Sequence, residues 1–154
     1  MLAKKPSLLV TTDFSLAATH AFGPAMDLAR RLGGSVVLLY AYTPIEPPMV
    51  PGLSQERLDE LHREHREKAL KELERLSEAH FGDLDRRTVV VDGPPARAIV
   101  HYASEHSVDL IVMADSGLHG LRGTLLGSVC QRVLLRAPCP VLVVPKSLPG
   151  TPSP

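Results

Sequence analysis

Cysteine is scarce in this chain. Cys130 and Cys139 are the only two, and they form neither a CxxC pair nor a cluster at metal-ligand spacing. That excludes a disulfide scaffold and a zinc-ribbon architecture, and it predicts free thiols in a reducing cytoplasm. Net charge is absent as well. The 17 basic and 17 acidic side chains cancel, which argues against a nucleic-acid or anionic-membrane partner. No apolar run approaches the length that crosses a bilayer. Asp13 follows the first apolar run without a small-residue cleavage site, so no secretory signal is expected. The seven histidines form no constellation. His62 and His65 are three residues apart, but no carboxylate or cysteine stands at a diagnostic spacing from them. They are expected to lie on a solvated helix face.

What is present is an alternation of apolar runs and amphipathic segments in 154 residues, 44% of them hydrophobic, enough for one core. The most informative stretch runs over 109–145. A short apolar run, Leu110 to Met113, is followed by glycines at 117, 120 and 123. Gly127-Ser128 then introduces a helical segment, and a second apolar run, Val141 to Val144, closes the unit. Glycines let a backbone approach a ligand closely. A helix start offers unpaired N–H groups and partial positive charge. Strand, glycine loop, helix start and strand in that order predict a phosphate or nucleotide pocket.

The rest of the chain fits the same plan. Leu8 to Val10 reads as a first strand. Ser15 caps a helix whose inward face is Ala18, Ala21, Phe22, Ala25, Leu28, Ala29 and Leu32, stopped by Gly33-Gly34. Pro24 either kinks that helix or starts a new one. Val36 to Tyr40 is a second strand of the fully buried type. Thr43 to Gly52 carries four prolines and reads as a loop. Ser54 caps a long charged helix to about His80, with Leu58, Leu61, Ala69, Leu73 and Leu76 inward. Thr88 to Val91 is a third strand, and Asp92-Gly93-Pro94-Pro95 launches a helix from Ala96 to His106. Residues 1–146 form one domain in this reading, and 147–154, rich in proline, are a floppy tail. Buried strands alternating with helices call for a parallel sheet covered on both faces, a doubly wound Rossmann-like sandwich. Its ligand crevice lies beyond the carboxyl ends of the strands. Asp13, Ala41 and Ala114 converge there if the first and fourth strands are neighbours.

Three separate pieces resemble the universal stress protein family. They are Thr11-Thr12-Asp13-Phe14-Ser15, Val91-Asp92-Gly93-Pro94-Pro95-Ala96, and Ala137-Pro138-Cys139-Pro140 with the apolar run that follows. Together the resemblance covers Ser7 to Pro145. It implies a three-layer, adenine nucleotide alpha hydrolase-like α/β sandwich with a five-stranded parallel sheet. The nucleotide-binding branch of the family carries G-x2-G-x9-G-[ST]. Gly117, nine intervening residues and Gly127-Ser128 match its second half, and Ala114 replaces its first glycine. The added methyl would resist a positive φ.

By resemblance the cleft would bind ATP or another adenine nucleotide, with magnesium or manganese bridging the phosphates. Thr12 and Asp13 would lie against the nucleoside, and Ala41 would offer backbone to the adenine edge. Met113, Ala114, Gly117, Leu118, His119 and Gly120 would wrap the phosphates. Gly127, Ser128 and Val129 would present amides at the helix start. The resemblance also implies a homodimer through Val141 to Val144, an apolar edge that needs covering. Regulation or sensing is the function expected. No Walker A lysine, nucleophile elbow, HxGH or SGGxDS signature occurs, which weighs against an efficient ATPase or an adenylyl-transferring enzyme. The other alternative is a dimeric interaction module of the same fold that has lost its ligand. Cys130, three residues into the last helical segment, is expected to pack as a buried thiol, its ionisation somewhat eased by the helix start.

Overall fold

The computed structural model describes residues 4–46, 51–115 and 126–145. Five parallel strands alternate with four α-helices: β1 (Ser7–Thr12), α1 (Phe22–Leu32), β2 (Ser35–Tyr42), α2 (Gln55–Phe81), β3 (Arg86–Asp92), α3 (Pro95–Glu105), β4 (Leu110–Ala114), α4 (Ser128–Arg136) and β5 (Val141–Val144). The strand order is β3-β2-β1-β4-β5, every pair parallel. The chain first builds outward from β1 on one side, then crosses to the other.

Side-chain alternation along the strands divides the core in two. Leu8, Val10, Val36, Leu38, Val112 and Val144 face α1 and α2, meeting Phe22, Ala25, Ala29, Leu73 and Phe81. Leu9, Val37, Leu39, Ile111 and Met113 face α3 and α4, meeting Ile99, Tyr102, Cys130 and Val133. Burial on both faces is why the strands read as unbroken apolar runs. Arg66 ties α2 to β3, its guanidinium donating to the Val90 carbonyl and pairing with Asp92 at 2.8 Å.

After β1 the chain takes the second of the two courses left open at Pro24, a break followed by a new helix. Ser15 Oγ accepts the Ala18 N–H at 3.1 Å, but it caps no helix: the short 3-10 turn Ala18–Ala21 starts from Ala17 with no side-chain cap. A new helix then begins at Phe22. Pro24 sits in its first turn, where a missing N–H is harmless. Ala18, Ala21, Phe22, Ala25 and Ala29 are buried as expected, but Leu32 is 52% exposed. It is the last residue before Gly33 turns left-handed at φ +62°, and the inward stripe has rotated into solvent there. Gly34 N–H closes that helix on the Ala29 carbonyl at 2.8 Å. Ser54 caps α2 through the Arg57 N–H, and Leu58, Ala69, Leu73 and Leu76 are buried, with Leu61 only half-buried. Among the described residues no helix is long and apolar enough to cross a membrane.

Candidate functional site

The strand order makes β1 and β4 neighbours at the switch point, where ligand crevices form. Their pairing is short and ends at Val10 with Val112. Beyond it β1 stays with β2 as far as Thr12 and Tyr40, while β4 stays with β5 as far as Ala114 and Val144. The two halves of the sheet part, and a cavity of about 350 Å³ lies in the gap. Its walls are the ends of β1 (Thr11 to Asp13), β2 (Leu39 to Tyr42) and β4 (Met113 to Asp115), the start of α4 (Gly127 to Cys130), and Pro95 and Ile99 of α3. That volume falls in the range of small-molecule sites. The β2 register adds one further feature. β2 pairs with β3 out to Tyr42, two residues past its last partner in β1. Among the described residues Ala41 and Tyr42 therefore have no strand partner on the cavity side.

The turn that carries Asp13 is held by its own side chains. Phe14 N–H donates to Thr12 Oγ1 at 3.0 Å, and Ser15 N–H donates to Asp13 Oδ1 at 2.9 Å. Between them Phe14 adopts φ +65°. A bulky residue there stores about 1–3 kcal/mol of strain. Its ring packs on Tyr40 with centroids 4.4 Å apart, which helps offset that strain. Burial, with the nearby charge of Asp13 second, raises the pKa of the Tyr40 hydroxyl.

The start of α4 forms the opposite wall. Gly127 has φ −59° and ψ 153°, no side chain caps the helix, and no acid lies in its first turn. Gly127 N–H is already used, donating to the Asp115 carbonyl at 2.8 Å. The first-turn amides of Ser128, Val129 and Cys130 have no acceptor within the helix and carry its positive end. Cys130 is buried, not eased toward thiolate. Burial first, and the Asp115 charge second, push its pKa up to about 11. Desolvation has outweighed the helix start, so the side chain is a neutral thiol at physiological pH.

Of the residues singled out from sequence, Thr12, Asp13, Ala41, Met113, Ala114, Gly127, Ser128 and Val129 all line this cavity. Gly117, Leu118, His119 and Gly120 lie outside the described residues. Ala114 is the last residue of β4, paired with Val144, and is not among the described residues with positive φ. Its methyl packs against the α1–α2 core, so alanine meets no backbone penalty here. Ala114→Gly is therefore expected to change nucleotide affinity by less than about threefold and to cost roughly 0.5–1 kcal/mol of stability as a strand glycine. Titration and chemical denaturation of the variant check both.

Asp115, Tyr40, Tyr42, Pro95 and Ile99 also line the cavity, and sequence reasoning missed them. Asp115 directly follows the apolar run of β4, the one signal that was available. His65 packs its ring on Tyr42, centroids 4.4 Å apart, and its Nε2 lies 3.3 Å from the Tyr40 hydroxyl. That face of α2 is thus partly engaged by aromatic side chains of β2. Among the described residues, no three His, Cys, Asp or Glu side chains group as a metal site would require.

Residues 6–145 match the model of the universal stress protein family. The chain is 36% identical over 143 residues to Universal stress protein MJ0531 of Methanocaldococcus jannaschii, covering 90% of this chain and 81% of that protein. Hypothetical protein MJ0577 has a solved structure that superimposes with a TM-score of 0.80 at 28% identity, covering 93% of this chain and 97% of that one. A universal stress protein solved in complex with cAMP superimposes with a TM-score of 0.65 at 28% identity, covering 93% and 98%.

Proposed function

The chain belongs to the universal stress protein family, and from that premise we propose that its cavity binds an adenine nucleotide, ATP foremost, as a regulatory ligand. One observation carries the reading. The gap between β1 and β4 is closed by the uncapped start of α4, so an apolar slot for a base and a row of free amides for phosphate share one space. Thr12, Asp13 and Ala41 would meet the nucleoside. Ser128 and Val129 would meet phosphate oxygens, and Gly117, Leu118, His119 and Gly120 are proposed for the same phosphates. The complex of a relative with cAMP supports an adenine ligand.

Magnesium or manganese would be carried in with the phosphates. Such an ion would offset phosphate charge. Among the described lining residues no base-and-nucleophile pair stands out, and the output proposed is a change of loop or dimer geometry, not turnover. The dimer would form through β5, which is an edge of the sheet. Beside it Leu135 of α4 is 84% exposed, with Leu134 and Leu142 also exposed. Apolar edges of that kind are covered in stable assemblies.

Denaturation with and without Mg-ATP tests the binding. Ligand at ~100 times its dissociation constant should add about 2.7 kcal/mol to the unfolding free energy. An unchanged transition at millimolar ATP would favour the ligand-free interaction module. Appearance of ADP or AMP during the incubation would favour an enzyme.

A further inference from the structure

A buried hydroxyl opens into the apolar part of the cavity. Thr11 is only 8% exposed and lies where the sheet divides. The pairing of β1 with β4 ends one residue earlier, at Val10 and Val112, while Thr11 stays paired with Leu39 of β2. Side chains alternate along β1, Leu9 packing on the α3–α4 face and Val10 on the α1–α2 face, so Thr11 points the way of Leu9. On that face the cavity is lined by Leu39, Ala41, Ile99, Met113 and Cys130, apolar side chains and a neutral thiol. Among the described residues the Thr11 hydroxyl has no hydrogen-bond partner. It is not sealed in, as the unpartnered His62 Nε2 and Ser77 Oγ are; it reaches the cavity. Leaving a buried hydroxyl unpaired costs more than a made bond returns. A ligand that supplies the partner is therefore favoured over one of the same shape that does not.

The neighbouring backbone adds an acceptor. The Tyr42 carbonyl accepts the Gly93 N–H at 2.8 Å, so the backbone of Tyr42 faces β3 and that of Ala41 faces the cavity side. The amide that the β1 register would bring to the Ala41 carbonyl is that of Phe14, and it donates to Thr12 Oγ1 instead. A hydroxyl donor and a carbonyl acceptor thus share one apolar slot. A flat ring that carries a nitrogen acceptor and an amino group answers both. We infer that Thr11 is a specificity-determining residue that reads the base: its hydroxyl donates to a ring nitrogen of an aminopurine whose amino group donates to the Ala41 carbonyl. This rests on the nucleotide reading above and names the side chain that selects the base.

The test is calorimetric titration of the full chain, with thermal melts, on wild type, Thr11→Val and Thr11→Ser. Valine keeps the branched shape that suits a strand and removes the hydroxyl, so Thr11→Val should melt no lower than wild type. It should bind adenosine and Mg-ATP about 5- to 50-fold more weakly, by one shared factor, because both carry the base. Thr11→Ser keeps the hydroxyl and should stay within about threefold of wild type. A scan of ring nitrogens locates the contact. Of 1-deaza-, 3-deaza- and 7-deazaadenosine, one should bind wild type and Thr11→Val within about twofold of each other, because its partner atom is already gone, while the others lose as adenosine does. If Thr11→Val binds adenosine as tightly as wild type, or Thr11→Ser loses as much as Thr11→Val, the hydroxyl does not read the base and the nucleotide site stands. If all three analogues lose alike, the hydroxyl meets the sugar or only shapes the slot, which also overturns the inference. If no ligand binds any of the three folded proteins, both proposals fall.

Discussion

Ser128→Pro is expected to weaken ATP binding by roughly 10- to 100-fold while leaving the fold intact. Ser128 is the first residue of α4, and in a first turn proline costs no internal hydrogen bond. Proline also restricts the residue before it to extended backbone, and Gly127 already sits there at φ −59°, ψ 153°. The substitution therefore deletes one amide donor and one hydroxyl from the cavity wall. A hydrogen bond to a charged acceptor is worth about 1.5–3 kcal/mol, which sets the size of the loss. Stability should hold or rise by about 0.4–1 kcal/mol, because proline restricts the unfolded chain. Ser128→Ala keeps the amide and separates the hydroxyl's share. Adenosine, lacking phosphate, should bind wild type and both variants alike. A titration series with ATP and adenosine on the three proteins, paired with thermal melts, reads all of this. An ATP affinity unaffected by proline would mean that the start of α4 does not hold phosphate.

That experiment depends on a feature the sequence made legible. Gly127-Ser128 after a glycine-rich stretch is a recognisable helix start, and Asp13 and Ala41 fall at the ends of apolar runs that could only be buried strands. The runs were readable because each strand is covered on both faces. Boundaries were less so. β3 begins at Arg86, two residues before the Thr88 to Val91 strand read from the sequence, because backbone pairing with Val36 and Val37 needs no apolar side chain. Leu32 fits the inward stripe by spacing alone, yet the turn at Gly33 leaves it in solvent. Cys130 is instructive in the same way. Distance along the chain to a helix start suggests an acidic thiol, but only the packing of α4 on the sheet reveals the burial that reverses the shift. Asp115 was passed over because a lone acid at a strand end says nothing until the neighbouring strands and helix are in place around it.

Leu9→Ala is expected to give the largest loss of stability, about 2–5 kcal/mol. Leu9 is fully buried in the central strand, paired with Val37 on one side and Ile111 on the other, and it faces the α3–α4 layer. Rigid strands on both sides leave the vacated volume little room to collapse, which is what makes a cavity costly. At about 2–4 °C per kcal/mol for a chain of this size, the melting temperature should fall by roughly 4–20 °C. Leu32→Ala, at the exposed end of α1, is the matched control and should stay within about 0.5 kcal/mol. Urea denaturation of both variants at constant m-value tests the contrast. Equal losses at the two positions would contradict the assignment of Leu9 to the core and Leu32 to the surface.

Everything functional depends on the cleft between β1 and β4 accepting an adenosine phosphate. Calorimetric titration of the purified chain with Mg-ATP addresses that most directly. The expected result is a saturable heat with one nucleotide bound per chain, diminished by Ser128→Pro. A flat titration at millimolar nucleotide, with the protein shown folded by its melting transition, would contradict it.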